Sequence, residues 1–214
     1  VGDSASMTIY GYNTTVPVSM DEMMLVVKAV SRGASKSLVV ADMPFLSYQP
    51  SIEKTIQNAG FLIKEGGASA IKLEGGINVQ KHIKKLVDFG IPVLGHVGLT
   101  PQSFHQLSGY SIQGKTPEEA QKIIDDAMAV EQSGAFGVVL ECIPNSLAKE
   151  ITEKLTIPTI GIGSGDSCDG QIQVLHDILG LSKNPPPKHA KQYDTLYSNV
   201  LDIIKRYKSD IEKL

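Results

Sequence analysis

Short runs of aliphatic residues alternate along the chain with longer segments in which apolar residues recur every three or four positions. The short runs are rich in β-branched residues and are too short for helices, which is typical of buried strands. Five of them are clear: residues 37–42, 70–74, 92–96, 137–141 and 159–163. Residues 1–3 are interpreted as the end of another strand, and residues 171–176 as a short last one. The pattern predicts seven strands.

The longer segments carry helix start signals. Ser19-Met20-Asp21-Glu22 and Thr116-Pro117-Glu118-Glu119 each have a hydroxyl residue followed three positions later by Glu, which is the capping-box pattern. Another helix is predicted to begin at Ser51, with Ile52, Ile56, Ala59 and Ile63 as its buried stripe. Further helices are predicted to begin at Asn78 and Asn145, and to cover residues 193–214. Strands and helices therefore alternate almost throughout.

Strict alternation predicts parallel strands joined by right-handed crossovers, in an open doubly wound sheet or a barrel. Charged or polar residues close the strands at Asp42, Glu74, His96 and Glu141. Barrels collect functional groups at the carboxyl ends of many strands, whereas open sheets concentrate them at one switch point. We therefore predict an α/β fold, a (β/α)8 TIM barrel, as one domain over residues 1–214 with a helical tail from about residue 183. Because such barrels take about 250 residues, the first strand and its helix are expected upstream of the sequence.

Composition narrows the function classes. The chain has 214 residues, with 20 Lys and Arg against 23 Asp and Glu, so it offers no broad cationic surface to nucleic acid or to a membrane. Its apolar runs are far shorter than the roughly 20 residues of a membrane-spanning helix. Cys142 and Cys168 lack the spacing of a disulfide framework or zinc site. A reducing, cytoplasmic location is expected.

Three acids, Asp3, Asp42 and Glu74, stand at predicted strand ends that converge on one mouth. Like charges in a partly desolvated site raise each other's pKa unless a cation intervenes. An all-oxygen ligand set favours a hard ion, Mg²⁺ first. The alternative is that each acid caps a helix or pairs with a nearby base.

Three more residues share this face. Lys72 lies two residues before Glu74 and suits a substrate carboxylate, with a plain Lys–Glu pair as the alternative. His96 can donate to a substrate oxygen or serve as a structural group. Glu141 follows an apolar strand that should desolvate it and raise its pKa towards that of a general base, with capping of the next helix as the alternative.

Two weaker signals remain. Residues 161–165, Gly-Ile-Gly-Ser-Gly, resemble a phosphate-binding loop, although these glycines are equally suited to close packing at a barrel mouth. Tyr10-Gly11-Tyr12-Asn13 is a candidate flap over the mouth. The remaining histidines show no mutual metal-ligand spacing: His82, His105, His176 and His189.

Several motifs, taken together and in order, resemble the 3-methyl-2-oxobutanoate hydroxymethyltransferase (ketopantoate hydroxymethyltransferase) family. They are Val1-Gly2-Asp3-Ser4, Val40-Ala41-Asp42-Met43-Pro44-Phe45, Ile71-Lys72-Leu73-Glu74-Gly75-Gly76, Gly95-His96-Val97-Gly98-Leu99-Thr100-Pro101-Gln102, Leu140-Glu141-Cys142-Ile143-Pro144 and Cys168-Asp169-Gly170-Gln171. The resemblance implies a barrel of the phosphoenolpyruvate/pyruvate type. It implies transfer of a hydroxymethyl group from 5,10-methylenetetrahydrofolate, the co-substrate, to 3-methyl-2-oxobutanoate, giving 2-dehydropantoate and tetrahydrofolate in pantothenate biosynthesis. It also implies a homo-oligomer, a decamer.

The resemblance implies roles for individual residues. Asp3, Asp42 and Glu74 are the Mg²⁺ site, the last through a water molecule. Asp3, Asp42, Ser4 and Lys72 contact the keto acid, His96 lies beside the incoming hydroxymethyl group, and Glu141 accepts the proton. The sequence departs from the family pattern at Ala5-Ser6, Ser164 and His189, and none of these is a proposed ligand.

Two other functions stay open. One is a Mg²⁺-dependent 2-oxo acid lyase of the isocitrate lyase or phosphonopyruvate kind, which shares the barrel and commonly carries a catalytic cysteine motif in a mobile loop; the sequence shows no such motif. The other is an inactive barrel kept as a binding module, which would follow if the natural gene lacked the upstream strand.

Overall fold

The computed structural model describes residues 1–106, 109 and 111–213. In these residues six strands pair in chain order to form one parallel sheet, which curls into a half-barrel. The strands are β1 (Val40–Asp42), β2 (Ala70–Glu74), β3 (Val93–Gly98), β4 (Gly137–Glu141), β5 (Thr159–Ile162) and β6 (Gly170–Gln171). The alternating α/β pattern and the five clear strands are confirmed, and closure into an eight-stranded barrel stays a prediction.

The two weakest strand predictions are wrong in part. Residues 1–3 form no strand, although Val1 N donates to Val40 O at 2.5 Å and Asp42 N donates to Val1 O at 3.0 Å, so Val1 lies alongside β1. Residues 171–176 contribute only Gln171 to β6, and a helix begins at Leu175. The apolar spacing of Leu175, Ile178 and Leu179 is helical, which explains that difference.

Eight α-helices occur in the described residues, and short 3₁₀ turns lie at Ile77–Val79 and Pro101–Ser103. The helices are α1 (Ala5–Thr8), α2 (Met20–Gly33), α3 (Ile52–Lys64), α4 (Gln80–Asp88), α5 (Pro117–Gln132), α6 (Asn145–Lys154), α7 (Leu175–Leu179) and α8 (Leu196–Ile211). Both predicted capping boxes are present, at Ser19 before α2 and at Thr116 before α5. The last residue of the predicted terminal helix, Leu214, lies outside the described residues.

Helix α3 buries a different stripe from the one that its apolar spacing favours. Ile52, Ile56 and Ile63 are only half-buried, whereas Thr55 and Asn58 are buried with Ala59 and Leu62. The two polar side chains hold the loop after β1, since Thr55 Oγ1 donates to Tyr48 O at 2.8 Å and Asn58 Nδ2 donates to Ser47 O at 2.6 Å. Buried polar groups with such partners displace isoleucine from this face.

The core lies between the sheet and its helices. Ile71 and Leu73 of β2 are fully buried and belong to one cluster with Ile83 and Leu86 of α4 and Val130 of α5. Each such side chain contributes about 1.5–3 kcal/mol when it is fully buried. This packing fixes the strands whose carboxyl ends carry the candidate site.

The chain divides into two compact units, Val1–Gln171 and Ile172–Leu214. The first contains all six strands. In the second, backbone bonds from Tyr193 N to Ile178 O and from Tyr197 N to Gly180 O, both 2.8 Å, tie α7 to the start of α8. A single domain over residues 1–214 stays a prediction. No helix in the described part of the chain is long and apolar enough to cross a membrane.

Candidate active site

Strand register brings the predicted site residues together. Asp42 of β1 pairs with Lys72 of β2, Glu74 of β2 pairs with His96 of β3, and Gly98 of β3 pairs with Glu141 of β4. Side chains at alternate positions of a strand share a face, so Lys72 and Glu74 point the same way. The arrangement matches the convergence that the strand ends predict.

Asp3 joins this group from the segment before α1. Its backbone N donates to Asp42 Oδ2 at 3.0 Å, and its carboxyl is buried. Burial, followed by the charge of Asp42, raises the pKa of Asp3 to about 7. Asp3 and Asp42 are thus adjacent acids of which one is poised near neutrality.

Lys72 is the cation of the site. Its Nζ lies 3.0 Å from Asp42 Oδ1 and 3.1 Å from His96 Nδ1, and its side chain is 14% exposed. Burial alone would lower the pKa of Lys72, but the attraction of Asp42, Glu74 and Asp3 outweighs it and raises the pKa. The ammonium has three N–H donors and uses two of them here, which leaves one for a substrate group. The predicted Lys–Glu alternative is replaced by a Lys–Asp pair.

His96 is buried between Lys72 and Glu141. An ammonium only donates hydrogen bonds, so His96 Nδ1 accepts from Lys72 and the neutral ring carries its hydrogen on Nε2. Nε2 lies 3.2 Å from Glu141 Oε2, without the alignment of a hydrogen bond. Burial, and then the charge of Lys72, lowers the pKa of His96, which keeps the imidazole neutral.

Glu141 is less buried than the sequence predicts. The strand before it is fully buried, but the Glu141 side chain is 16% exposed. The alternative capping role is wrong, because α6 follows Pro144 and has no side-chain cap. Gly98 permits the close approach of β3 and β4 here: its φ is +93°, and a Cβ at this position would lie 2.4 Å from Glu141 O. The carboxyl of Glu141 therefore stands at the open side of the site, beside His96.

Glu74 is the most isolated of the acids. Burial, with the charge of Asp3, raises its pKa despite the opposing attraction of Lys72. Its Oε2 accepts from Gln102 N at 3.0 Å, while its buried Oε1 has no hydrogen-bond partner among the described residues and lies 3.7 Å from His96 Nδ1. A buried carboxylate oxygen left in this way is suited to a further ligand.

The carboxylates of Asp3, Asp42 and Glu74 fit a small hard ion that also keeps water and substrate among its ligands. Across residues 1–106, 109 and 111–213, no group of three or more His, Cys, Asp or Glu side chains is arranged to hold a metal ion. Mg²⁺, however, is commonly held by one or two carboxylates, with water and substrate completing its shell. Adjacent Asp3 and Asp42, with the unpartnered oxygen of Glu74 available through water, match that pattern. The three-acid Mg²⁺ site stays a prediction.

Gln102 and Tyr48 are site residues that sequence reasoning missed. Gln102 Nε2 donates to Asp3 Oδ2 at 3.0 Å, and Tyr48 OH lies 3.0 Å from both Gln102 Oε1 and Glu74 O. The motif containing Gln102 was visible in the sequence, but nothing in its spacing places Gln102 beside Asp3, which is 99 residues away. Tyr48 lies in the loop after β1, where its position in the sequence gives no functional signal.

The other candidates have plainer environments. Ser4 precedes α1 and its hydroxyl makes no capping bond, so it remains available to a ligand. A Cβ at Gly161 would lie about 3 Å from Gln171, Ser164 and Cys168, which favours close packing over phosphate binding for this loop. Tyr10 OH donates to Glu22 O and Tyr12 OH to Glu22 Oε1, each at 2.9 Å, so the candidate flap is fastened to the first turn of α2.

The chain resembles solved structures of the predicted fold type. A protein described as a phosphonomutase from Burkholderia cenocepacia superposes with a TM-score of 0.56 at 13% identity, over 99% of this chain and 82% of that one. A protein described as a lyase/mutase from the same organism gives 0.52 at 13% identity, over 91% and 68%. At this identity the likeness concerns the fold alone, an α/β fold with parallel strands.

Relatives of closer sequence carry one common name, 3-methyl-2-oxobutanoate hydroxymethyltransferase. The protein of that name from Carboxydothermus hydrogenoformans is 53% identical over 213 residues, covering 100% of this chain and 77% of the relative. The one from Geotalea uraniireducens is 54% identical over 212 residues, covering 99% and 79%. The family model described as ketopantoate hydroxymethyltransferase matches residues 1–214. With 53–54% identity along nearly its entire length, this chain belongs to the ketopantoate hydroxymethyltransferase family.

Proposed function

We propose that the protein transfers a hydroxymethyl group from 5,10-methylenetetrahydrofolate to 3-methyl-2-oxobutanoate, giving 2-dehydropantoate and tetrahydrofolate. Family membership supports a hydroxymethyltransferase, and the keto acid is the substrate in its relatives' names. The observation that carries the chemistry is the placement of a partly exposed carboxyl, Glu141, beside the neutral imidazole of His96. A base facing an open site is what proton removal next to a ketone requires.

Lys72 is proposed to bind the keto acid's carboxylate. Its two assigned donors hold Asp42 and His96, so the third can be directed at the substrate without moving the side chain. Asp42 in turn fixes the ammonium, and the hydroxyl of Ser4 offers a further donor. These contacts hold the substrate with carbon 3 towards Glu141.

Glu141 is proposed to take the proton from carbon 3. The electron pair of that C–H bond then forms the new bond to the one-carbon unit of the folate. Both C–N bonds of that unit break: the new C–C bond replaces one, and a bond to the oxygen of a water molecule replaces the other. The proton from carbon 3 and one proton of the water end on the two folate nitrogens. The N–H of neutral His96 lies on Nε2, 3.2 Å from Glu141 Oε2, and is proposed to become a hydrogen-bond donor to this carboxylate when the substrate is bound. When bound by Asp3 and Asp42, with Glu74 through water, Mg²⁺ would stabilise the negative charge that develops on the substrate's oxygens.

The competing lyase function has weaker support. Cys142 does not match the catalytic cysteine that such lyases commonly carry in a mobile loop, because Cys142 is buried. Burial and then the charge of Glu141 raise the pKa of its thiol to about 11. The fold likeness to the phosphonomutase and the lyase/mutase is common to both functions. Decameric assembly stays a prediction from the resemblance. Cytoplasmic location stays a prediction from cysteine usage, and closure of a full barrel stays a prediction from the strand pattern.

A stoichiometric assay tests the proposal. Tetrahydrofolate release is measured with and without 3-methyl-2-oxobutanoate, and with and without Mg²⁺. We expect one tetrahydrofolate per 2-dehydropantoate, with release dependent on both the keto acid and Mg²⁺. Cleavage of the keto acid without consumption of folate would instead establish the lyase function.

A further inference from the structure

Gln102 connects two buried acids of the site. It lies in the 3₁₀ turn Pro101–Ser103 after β3 and is 5% exposed. Its backbone N donates to Glu74 Oε2 and its side-chain Nε2 donates to Asp3 Oδ2, each at 3.0 Å. One residue thus holds carboxylates from two distant parts of the chain.

The side-chain amide of Gln102 can take only one orientation. Its Nε2 faces two acceptors, Asp3 Oδ2 and Met43 O, the latter at 2.9 Å. Its Oε1 faces two donors, Tyr48 OH at 3.0 Å and Gln49 Nε2 at 3.3 Å. A flipped amide would set its oxygen against two other oxygens. Tyr48 therefore fixes the direction in which Gln102 donates, while its single hydrogen is shared with Glu74 O.

Gln102 bonds to one oxygen of each of the two acids, Asp3 and Glu74, and makes no bond to the other oxygen. Gln102 uses Asp3 Oδ2 and Glu74 Oε2, and the buried Glu74 Oε1 has no hydrogen-bond partner in the described part of the chain. A neutral amide holds these carboxylates in place without cancelling their charge. Groups that orient metal ligands in this manner commonly change metal affinity by 10- to 100-fold when they are removed.

We propose that Gln102, fixed by Tyr48, is a positioning residue that aims the carboxylates of Asp3 and Glu74 at the divalent cation. The inference rests on the proposed function, since the cation is that of the proposed reaction. Gln102 itself does not touch the substrate or the ion. It acts through Asp3 by its side chain and through Glu74 by its backbone, so a side-chain substitution isolates the contribution of Asp3.

The test measures binding of Mn²⁺, a paramagnetic substitute for Mg²⁺, by the signal of free Mn²⁺ in electron paramagnetic resonance, without any substrate. Gln102→Met keeps the length of the side chain and removes the oxygen and the nitrogen of its amide. We expect its Mn²⁺ affinity to fall at least tenfold. The matched control is Gln106→Met, an exposed glutamine in the same loop, which should bind Mn²⁺ as the wild type does.

Tyr48→Phe removes only the hydroxyl that fixes the amide. We expect a smaller loss, about threefold, and a double variant with Gln102→Met that is no weaker than Gln102→Met alone. Turnover should follow: at saturating Mn²⁺ the kcat of Gln102→Met recovers, while the KM for the keto acid stays raised at limiting Mn²⁺. Wild-type Mn²⁺ affinity in Gln102→Met, with a lowered melting temperature, would overturn the inference and leave Gln102 a purely structural residue.

The two proposals fail in different ways. If the wild type binds Mn²⁺, Gln102→Met does not, and neither transfers a hydroxymethyl group, the proposed reaction is wrong and the positioning role stands. If the wild type transfers the group and binds no Mn²⁺, the positioning role is wrong and the proposed transfer stands.

Discussion

The two sides of the candidate site treat buried charge differently. On one side, Asp42, Lys72, His96 and Glu141 form a continuous row, with contacts of 3.0, 3.1 and 3.2 Å between successive side chains. On the other side, Asp3 and Glu74 form no ion pair with a lysine or arginine among the described residues, and the neutral Gln102 links them to each other. The row therefore contains its own compensating charge, whereas the opposite side does not.

This difference shows how one site can prepare for two tasks. The row is a preformed arrangement in which a lysine, a neutral histidine and a carboxyl have fixed donors and acceptors, as proton transfer requires. On the opposite side, burial and the negative potential of neighbouring carboxylates raise the pKa of both Asp3 and Glu74. A divalent cation relieves that potential. The predictions below alter one side at a time.

The largest effect is expected at the open end of the row. Glu141→Gln keeps the shape of the side chain and removes the proton acceptor, so exchange of the carbon 3 proton in deuterated water should fall about a thousandfold. Binding of the keto acid, measured by titration calorimetry, should stay within about threefold of the wild type. Glu150→Gln, a change in an exposed ion pair with Lys154, is the control. Persistent exchange in Glu141→Gln would remove Glu141 from its role as the base.

A smaller effect is expected at the centre of the row. Lys72→Met removes the only lysine of the row. The negative charge of Asp42 then has no cationic partner within the row, so the row resembles the opposite side of the site. Affinity for the keto acid should fall by about 10- to 100-fold, because a charge-assisted bond to the substrate contributes about 1.5–3 kcal/mol. Lys84→Met removes an exposed ion pair with Asp88 and should leave affinity unchanged. Equal affinity in both variants would contradict the assignment of Lys72 to the substrate carboxylate.

The opposite side of the site is tested through Asp3, by the pH dependence of the free energy of unfolding. Asp3 has a pKa of about 7 in the folded protein against an ordinary value of 3.8, so between these values the folded state holds the extra proton. Its contribution to the free energy of unfolding is thus present at low pH and is lost as pH rises through 7. In metal-free protein, Asp3→Asn should remove this loss, which is on the order of 2–3 kcal/mol between pH 5 and pH 8. The variant should therefore unfold at higher urea than the wild type at pH 8.

The control for this pH effect is Asp21→Asn, an exposed acid in the first turn of α2. His96 acts in the opposite sense, because its lowered pKa costs stability as pH falls below 6.5, the ordinary value. Only the difference in the free energy of unfolding between the wild type and Asp3→Asn therefore isolates the contribution of Asp3. A difference that does not change between pH 5 and pH 8 would show that Asp3 carries no raised pKa.

The sequence predicted the row better than the opposite side. Strand periodicity places Asp42, Lys72, His96 and Glu141 at neighbouring strand ends, and register alone brings them into contact. The same argument expected the apolar strand to desolvate Glu141, yet its side chain is 16% exposed, because exposure depends on what covers the strand end rather than on the strand itself.

What could not be predicted lies in the loops. Gln102 meets Asp3 across 99 residues, and Tyr48 meets Gln102 across 54, through turns whose path no periodicity encodes. The buried stripe of α3 failed for a related reason, since Thr55 and Asn58 bind carbonyl groups of the loop after β1. Periodic sequence patterns reflect the regular hydrogen bonding of helices and strands. These contacts join side chains to loops, so no periodic pattern predicts them.

The smallest expected effect is a pH-dependent stabilisation by Mg²⁺, which tests whether the cation binds at Asp3. Below pH 7 a metal ion must displace a proton from Asp3, so Mg²⁺ affinity should fall about tenfold for each pH unit. At a Mg²⁺ concentration ten times the dissociation constant measured at pH 8, the protein should gain about 1.4 kcal/mol at pH 8 and almost nothing at pH 5. Thermal melts at both pH values, with Na⁺ matched for ionic strength, measure this difference. Asp21→Asn should retain it and Asp3→Asn should lose it, whereas an equal gain at both pH values would place the ion away from Asp3.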